Sequence, residues 1–325
     1  MRVCGRIMQN DGIANFRLLA QFRFRFLDGA AADMVGYAKG GFYMEILELN
    51  QDAVFSILPN RQLDSHKGDF GRILLLCGSR GYTGAAALSA MGALRSGAGL
   101  VYLGVPESIY AIEAVKLTEP IVFPLSEKNG KVSAQALPEI MKLLPKMDAV
   151  LIGPGLGQSE GTLAVTKAVL ENFEGPVVLD TDGINVLKSH MDIVRERQSP
   201  AILTPHAGEF ARIGGKIGQD RAASAAEFAA QYHCILLLKG YGTIVTDGHR
   251  CFRNPTGNPG MAVGGSGDVL SGIIAGLLGQ GIEPLNAAAC GAWLHGAAGD
   301  ICAEKIGQYG MLPTDMLEVL PRLMK

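Results

Sequence analysis

The sequence predicts an α/β domain with a mostly parallel central sheet and helices on both faces. Three observations support this. From about residue 72, short apolar runs of strand length alternate with helical stretches, the signature of β-α-β units. Polar and glycine punctuation recurs just after the apolar runs, at the strand ends where open α/β sheets bind ligands. No linker-like stretch interrupts the chain after residue 72, so residues 72–325 read as one domain with a lead-in over 44–71.

The elements follow in order. Ile73–Cys77 is apolar throughout and stops at Gly78-Ser79, as a buried strand does. Residues 84–97 form an alanine-rich helix ended by Ser96-Gly97-Ala98-Gly99. Leu100–Gly104 and Ala149–Ile152 are strands, the second running into Gly153-Pro154-Gly155-Leu156-Gly157. Thr162–Asn172 is helical; the strand Pro176–Leu179 then ends in Asp180-Thr181-Asp182, ahead of a helix over 183–188. Ala201–Thr204 is a strand ending in Pro205-His206. Arg221–Tyr232 is helical, and the strand Cys234–Leu238 ends at Lys239-Gly240. A hairpin follows, Ile244–Thr246 returning through Asp247-Gly248 to Cys251-Phe252. Two helices rich in small residues come last, about 268–279 and 284–303.

Composition narrows the function. Charged residues are 18% and hydrophobic residues 48%, with a mean hydropathy of +0.21, which describes a compact folded chain. A net charge of −2 supplies no basic stripe, so nucleic acid is excluded as the expected partner. The longest apolar stretch, 261–279, contains Asp268 and so argues against a membrane span. The cysteines at 4, 77, 234, 251, 290 and 302 lack metal-like spacing and read as buried hydrophobes of a reducing cytoplasm.

Residues 1–43 differ from the rest. Phe22-Arg23-Phe24-Arg25-Phe26 alternates without a partner strand nearby. Lys39-Gly40-Gly41 can be encoded by a purine-rich ribosome-binding run, with Phe42-Tyr43 as spacer before Met44. The expectation is a poorly ordered leader over 1–43, with natural translation starting at Met44.

The strongest chemical signal is Gly264-Gly265-Ser266-Gly267-Asp268, followed by apolar residues at 269, 270, 273, 274, 277 and 278. A glycine-rich loop entering a helix offers unpaired N–H groups and a positive dipole end, a site for phosphate. Asp268 either caps that helix or acts as a base beside the bound phosphate. Lys239-Gly240-Tyr241-Gly242-Thr243 suits a nucleotide phosphate or is a plain turn with an exposed lysine. Gly153–Gly157 allows close backbone approach to a ligand or is an ordinary loop. His206 contacts a ligand or caps a helix, and Asp180 and Asp182 face Mg²⁺ or cap the helix after them. His66-Lys67-Gly68 reaches an anionic ligand or is a solvated lead-in.

Together these motifs resemble the NAD(P)H-hydrate dehydratases, a branch of the ribokinase-like superfamily. The resemblance runs from about Arg61 to Leu320. It includes His66–Gly71, Gly84–Leu88, Arg95–Gly99, Gly153–Gly157, Asp180–Asp182, Pro205–Glu209, Lys239-Gly240 and Gly257–Asp268. It implies a ribokinase-like three-layer fold and repair of hydrated NADH and NADPH. The hydrate hydroxyl is phosphorylated by ADP, or ATP, with Mg²⁺ bridging phosphates, and phosphate elimination restores the dihydropyridine. By the resemblance, Asp268 is the base and contacts the hydrate. Ala85 or Ala86, Gly155 or Gly157, and His206 line the hydrate site. Gly267 and Lys239, Gly240, Tyr241, Gly242 and Thr243 hold the adenine nucleotide. Val263 and Ser266 stand where the family pattern has threonines; Ser266 keeps a hydroxyl and Val263 loses one. Many relatives carry an N-terminal epimerase domain, for which some 60 residues are too few. The expectation is therefore a cytoplasmic dehydratase alone, a homo-oligomer (a tetramer) working with a separate epimerase. The rivals are a vitamin or sugar kinase of the same superfamily and a non-catalytic nucleotide-binding module. Thiazole and pyrimidine kinases have cysteine where Asp268 stands, which disfavours the first.

Overall fold

A computed structural model describes residues 32–33 and 45–324. The leader, the Phe22–Phe26 alternation and the Met44 start lie outside the described residues, apart from the two-residue strand β1 (Ala32–Asp33). The other strands are β2 (Ile46–Glu48), β3 (Arg72–Leu76), β4 (Leu100–Pro106), β5 (Ile121–Leu125), β6 (Glu127–Lys128), β7 (Lys131–Val132), β8 (Ala149–Ile152), β9 (Val177–Leu179), β10 (Ile202–Leu203), β11 (Ile235–Leu238), β12 (Ile244–Thr246) and β13 (Cys251–Arg253). The main helices are α1 (Gln51–Ile57), α2 (Thr83–Arg95), α3 (Glu107–Lys116), α4 (Leu137–Leu143), α5 (Glu160–Asn172), α6 (Thr181–Asn185), α7 (Asp192–Arg195), α8 (Ala207–Arg212), α9 (Arg221–Tyr232), α10 (Ser266–Gly279), α11 (Pro284–Ile306) and α12 (Pro313–Leu323).

Eleven strands form one sheet in the order β1-β2-β13-β12-β11-β10-β9-β8-β3-β4-β5. The block from β11 to β5 is parallel throughout, and β12 is antiparallel to both its neighbours. The expected hairpin is therefore present, and β2 extends it by pairing in parallel with β13. Successive residues of the central strands feed two cores. Ile73, Leu75 and Leu151 join the core of α2, α10 and α11, while Leu74, Leu76, Val150 and Ile152 join the core on the other face. Burial on both faces is why these strands read as unbroken apolar runs rather than alternating ones. Among the described residues no helix is long and apolar enough to cross a membrane. The five described cysteines are free and buried.

The helix expected over 183–188 instead spans Thr181–Asn185, because Asp180 is extended (φ −132°, ψ 158°) and the turn starts directly after it. The two helices rich in small residues begin at Ser266 and Pro284, the second runs to Ile306, and α12 follows them. The structure adds α1, α3, α4, α7, α8, α12, the strands β1, β2 and β5, and the β6–β7 hairpin to the elements expected from the sequence.

Helices α2 and α10 pack backbone to backbone. A Cβ on Gly272 would collide with Ser89 O, and one on Gly276 with Ser96 Oγ. Small residues on both helices thus seat the start of α10 beside the sheet. Gly272→Ala should cost about 1–3 kcal/mol, the usual cost of overpacking, and lower the thermal midpoint by several degrees. A thermal melt checks this; an unchanged midpoint would mean the two helices separate freely.

Candidate active site

The chain runs from β3 outward to β4 and β5, then returns to place β8 on the other side of β3. Such a reversal of direction opens a crevice at the carboxyl ends of the two strands. The loops after β3 and β8 line it. Gly78 N donates to Pro154 O at 2.7 Å, and Ser79 Oγ donates to Gly155 O at 2.6 Å. Gly155 has φ +64°, and a Cβ there would fall 2.8 Å from the Ala85 Cβ. Ala85 and Gly155 therefore meet. Ala86 is fully buried beneath Gly78, so of the two alanines it is Ala85 whose side chain faces the loop. Gly157 N donates to Asp182 Oδ2 at 2.8 Å, which ties this loop to the end of β9.

The next three strand ends hold the charges. Asp180, after β9, is completely buried. Its Oδ1 accepts from Thr204 Oγ1 at 2.8 Å and from Lys239 Nζ at 2.9 Å, bringing together the ends of β9, β10 and β11. Its Oδ2 is buried with no hydrogen-bond partner among the described residues. Lys239 Nζ also lies 3.7 Å from Glu209 Oε2. Burial pulls the Lys239 ammonium down, but Asp180 and Glu209 more than offset it and hold the group above its ordinary range.

His206 caps α8. Its Nδ1 accepts from Gly208 N at 3.0 Å and Glu209 N at 3.3 Å, and Glu209 Oε2 accepts from His206 N at 2.9 Å. An Nδ1 that accepts carries no proton, so the proton sits on Nε2. The ring is about half exposed, which leaves its outer edge open to a ligand while its inner edge caps. Glu209, to which the resemblance assigns no role, thus serves both His206 and Lys239. Its spacing three residues after His206 is the capping-box signal that could have singled it out.

The glycine-rich loop closes the site from the other side. Gly265 is the N-cap of α10 in the left-handed conformation (φ +96°), and no side chain caps the helix. Asp268 lies in the first turn and makes no capping hydrogen bond among the described residues. A Cβ on Gly267 would lie 3.4 Å from Lys239 Nζ and 3.9 Å from Asp180 Oδ2. The start of α10 therefore faces the buried charges. Asp268 is pushed up to about 6, first by burial and then by Asp180, with Lys239 opposing. A carboxylate whose affinity for a proton is raised towards neutrality, yet which is still largely ionised there, suits a base.

One stripe of α11 holds this loop from behind. Ala292 O accepts from Asn254 Nδ2 and Trp293 O from Thr256 Oγ1, both at 3.0 Å. His295 Nε2 meets Ser266 Oγ at 3.2 Å. Burial pushes His295 down to about 4, so it stays neutral at physiological pH. Asp300 accepts from Gly257 N and Asn258 Nδ2, both at 2.9 Å. Gly296 and Gly299 leave room for Thr256 and Met261 to sit against the helix.

Lys239 and Gly267 thus lie side by side. Gly240, Tyr241, Gly242 and Thr243 continue from Lys239 as a tight loop, with Thr243 Oγ1 donating to Gly240 O at 2.9 Å and Tyr241 fully exposed. His66-Lys67-Gly68 does not join the site. It precedes β3 and so lies at the amino ends of the strands, where Gly99 packs on Lys67 O. Among the described residues no group of three or more His, Cys, Asp or Glu side chains is close enough to hold a metal on protein ligands alone.

Residues 73–322 match the family model described as NAD(P)H-hydrate dehydratase. The chain is 45% identical over 277 residues to the bifunctional NAD(P)H-hydrate repair enzyme Nnr of Moorella thermoacetica, covering 83% of this chain and 52% of that one. It thus spans about half the length of the curated relatives it matches. It also resembles the crystal structure of the ADP/ATP-dependent NAD(P)H-hydrate dehydratase from Bacillus subtilis, co-crystallized with ATP/Mg²⁺. There the identity is 32% and the TM-score 0.73, over 84% of this chain and 96% of that chain. A hydroxyethylthiazole kinase from Pyrococcus horikoshii shares the fold alone, at 18% identity and a TM-score of 0.56 over 77% of this chain and 87% of that one.

Proposed function

The chain belongs to the NAD(P)H-hydrate dehydratase family, and from that membership we propose that it restores NADH and NADPH from their (S)-hydrates in an ADP-dependent reaction. The observation that carries this reading is Asp268. It is a partly buried carboxylate pushed up to about 6, in the first turn of an uncapped helix that faces Lys239. Asp268 takes the proton of the hydrate hydroxyl as that oxygen bonds to the terminal phosphorus of the nucleotide. The bridging P–O bond breaks, and AMP leaves with its electrons. The N–H groups of the first turn of α10, Gly267 among them, hold the charge that develops on the phosphoryl oxygens. Phosphate then departs with the C–O electron pair, assisted by the ring nitrogen, and loss of a proton from the neighbouring carbon restores the double bond. Ala85, Gly155 and Gly157 line the hydrate side with the outer edge of His206. Lys239 and the Gly240–Thr243 loop serve the nucleotide side.

Mg²⁺ fits this site at Asp180, whose buried Oδ2 has no partner among the described residues and points toward the start of α10. Asp180 would hold the ion together with the nucleotide phosphates, where it would neutralise their charge. Asp182 and Glu209 add to the negative field that a cation would balance.

The test is recovery of absorbance in the NADH band from chemically hydrated NADH, with ADP or ATP and Mg²⁺. No recovery with either nucleotide would overturn the reading. A phosphorylated product that accumulates without NADH would mark a kinase of the same fold. The base must be ionised to act, so kcat/KM should rise about tenfold per pH unit below about 6 and level off above it. A rate independent of pH between 4.5 and 7 would contradict Asp268 as the base.

A further inference from the structure

Two cations at the mouth of the crevice have no role in the chemistry above. The β6–β7 hairpin turns at Asn129-Gly130, where Arg80 N donates to Gly130 O at 2.9 Å. A Cβ on Gly130 would lie 2.6 Å from Arg80 Cβ and 3.2 Å from its Nε, so the Arg80 stem crosses the hairpin tip. Lys131, the next residue, runs over Gly157. A Cβ on Gly157 would fall 2.7 Å from Lys131 Cε, and Lys131 Nζ donates to Gln158 O at 3.2 Å. Gly157 is the residue whose N–H is held by Asp182, and two positions earlier Gly155 meets Ala85. Lys131 thus lies along the loop that borders the hydrate side, and Arg80, next to the Ser79 that bonds Gly155 O, crosses the tip of the same hairpin.

Neither cation forms an ion pair among the described residues. Glu127, on the same hairpin, feels the charge of Arg80, but its Oε2 is engaged by Ser108 N at 2.9 Å. The inner site has the opposite balance: Asp180, Glu209 and Asp268 act on one ammonium, Lys239, and Asp182 adds its charge to the field at Asp268. A dinucleotide hydrate carries a diphosphate between its two nucleosides. With its hydroxyl at Asp268, that diphosphate is repelled by the inner carboxylates and must lie toward the rim. Unpaired cations there lower its energy without entering the reaction.

Resting on the function proposed above, we propose that Arg80 and Lys131 form a subsite for the diphosphate of the dinucleotide hydrate. The double variant Arg80→Ala/Lys131→Ala should raise KM for NADH hydrate about 10- to 100-fold, the range for losing one or two charge-assisted contacts. Its kcat and its KM for ADP should stay near those of the unsubstituted protein. Arg80→Lys/Lys131→Arg, which keeps both charges, should recover most of the loss. The hydrate of reduced nicotinamide riboside, which has no phosphate, should be processed equally well by all three proteins. An unchanged KM for NADH hydrate, or an equal loss on the riboside hydrate, would overturn the subsite while leaving the dehydratase reading intact. Failure of the unsubstituted protein to turn over either hydrate would overturn that reading, and the subsite with it.

Discussion

Asp268→Asn is expected to lose dehydratase turnover by at least 10²- to 10⁴-fold, the usual contribution of a positioned general base, and to gain stability at neutral pH. The two effects share one cause. Asp268 lies where burial and the carboxylate of Asp180 disfavour its ionised form, raising it from 3.8 to about 6. Below pH 3.8 the group is protonated in both the folded and the unfolded chain. Between 3.8 and about 6 the unfolded chain releases the proton and the folded chain keeps it, so folding stability falls as pH rises through that window and stays lower above it. At full effect this amounts to roughly 3 kcal/mol, an upper bound for a side chain that retains some exposure. Asparagine fills the same space without the charge. The variant should therefore melt higher than the unsubstituted protein at pH 8, with the gap closing towards pH 4. Substantial residual turnover would remove Asp268 as the base, and a lower melting midpoint at pH 8 would contradict the electrostatic account.

Lys239→Met should do the reverse, losing both stability and nucleotide affinity. It leaves Asp180 fully buried, with Thr204 as the one hydrogen-bond donor left to its carboxylate among the described residues, and removes the cation that balances Glu209. Removing one partner of a buried pair costs about 3–5 kcal/mol. Lys239 is 18% exposed, which favours the lower end, a fall in thermal midpoint on the order of 10 °C. The double variant Lys239→Met/Asp180→Asn tests the cause, because it removes both charges and leaves neither stranded. It should recover most of the stability and none of the nucleotide affinity. If the double variant melts as low as the single one, the loss comes from packing and not from the pair.

Much of the fold was legible in the chain. Ala149–Ile152 and Arg221–Tyr232 have the boundaries their patterns predict, since the first is apolar at every position and the second has Asp220 capping its start. What escaped has physical reasons. Strand β5 forms the sheet edge and is half exposed, so it lacks the continuous apolar run of a central strand. Helix α3 carries exposed Tyr110, Ile112 and Val115, which blur its amphipathic stripe. In the site, Asp268, Gly267 and Lys239 stood out because strand ends and glycine loops are marked locally. His295 did not, because a buried histidine in an alanine-rich helix gives no sign of what it touches.

The pattern along the chain was enough for the α/β class, the parallel strands and the glycine loop that opens α10, since each depends on neighbouring residues and their periodicity. It left the role of Asp268 open between cap and base. Strand order settled the surroundings of that carboxylate by setting β9, β10 and β11 side by side. Lys239 thereby bonds an aspartate 59 positions away, and Gly267 comes up against both. A carboxylate's affinity for its proton depends on burial and on charges across space, and neither is a property of the residues beside it in sequence.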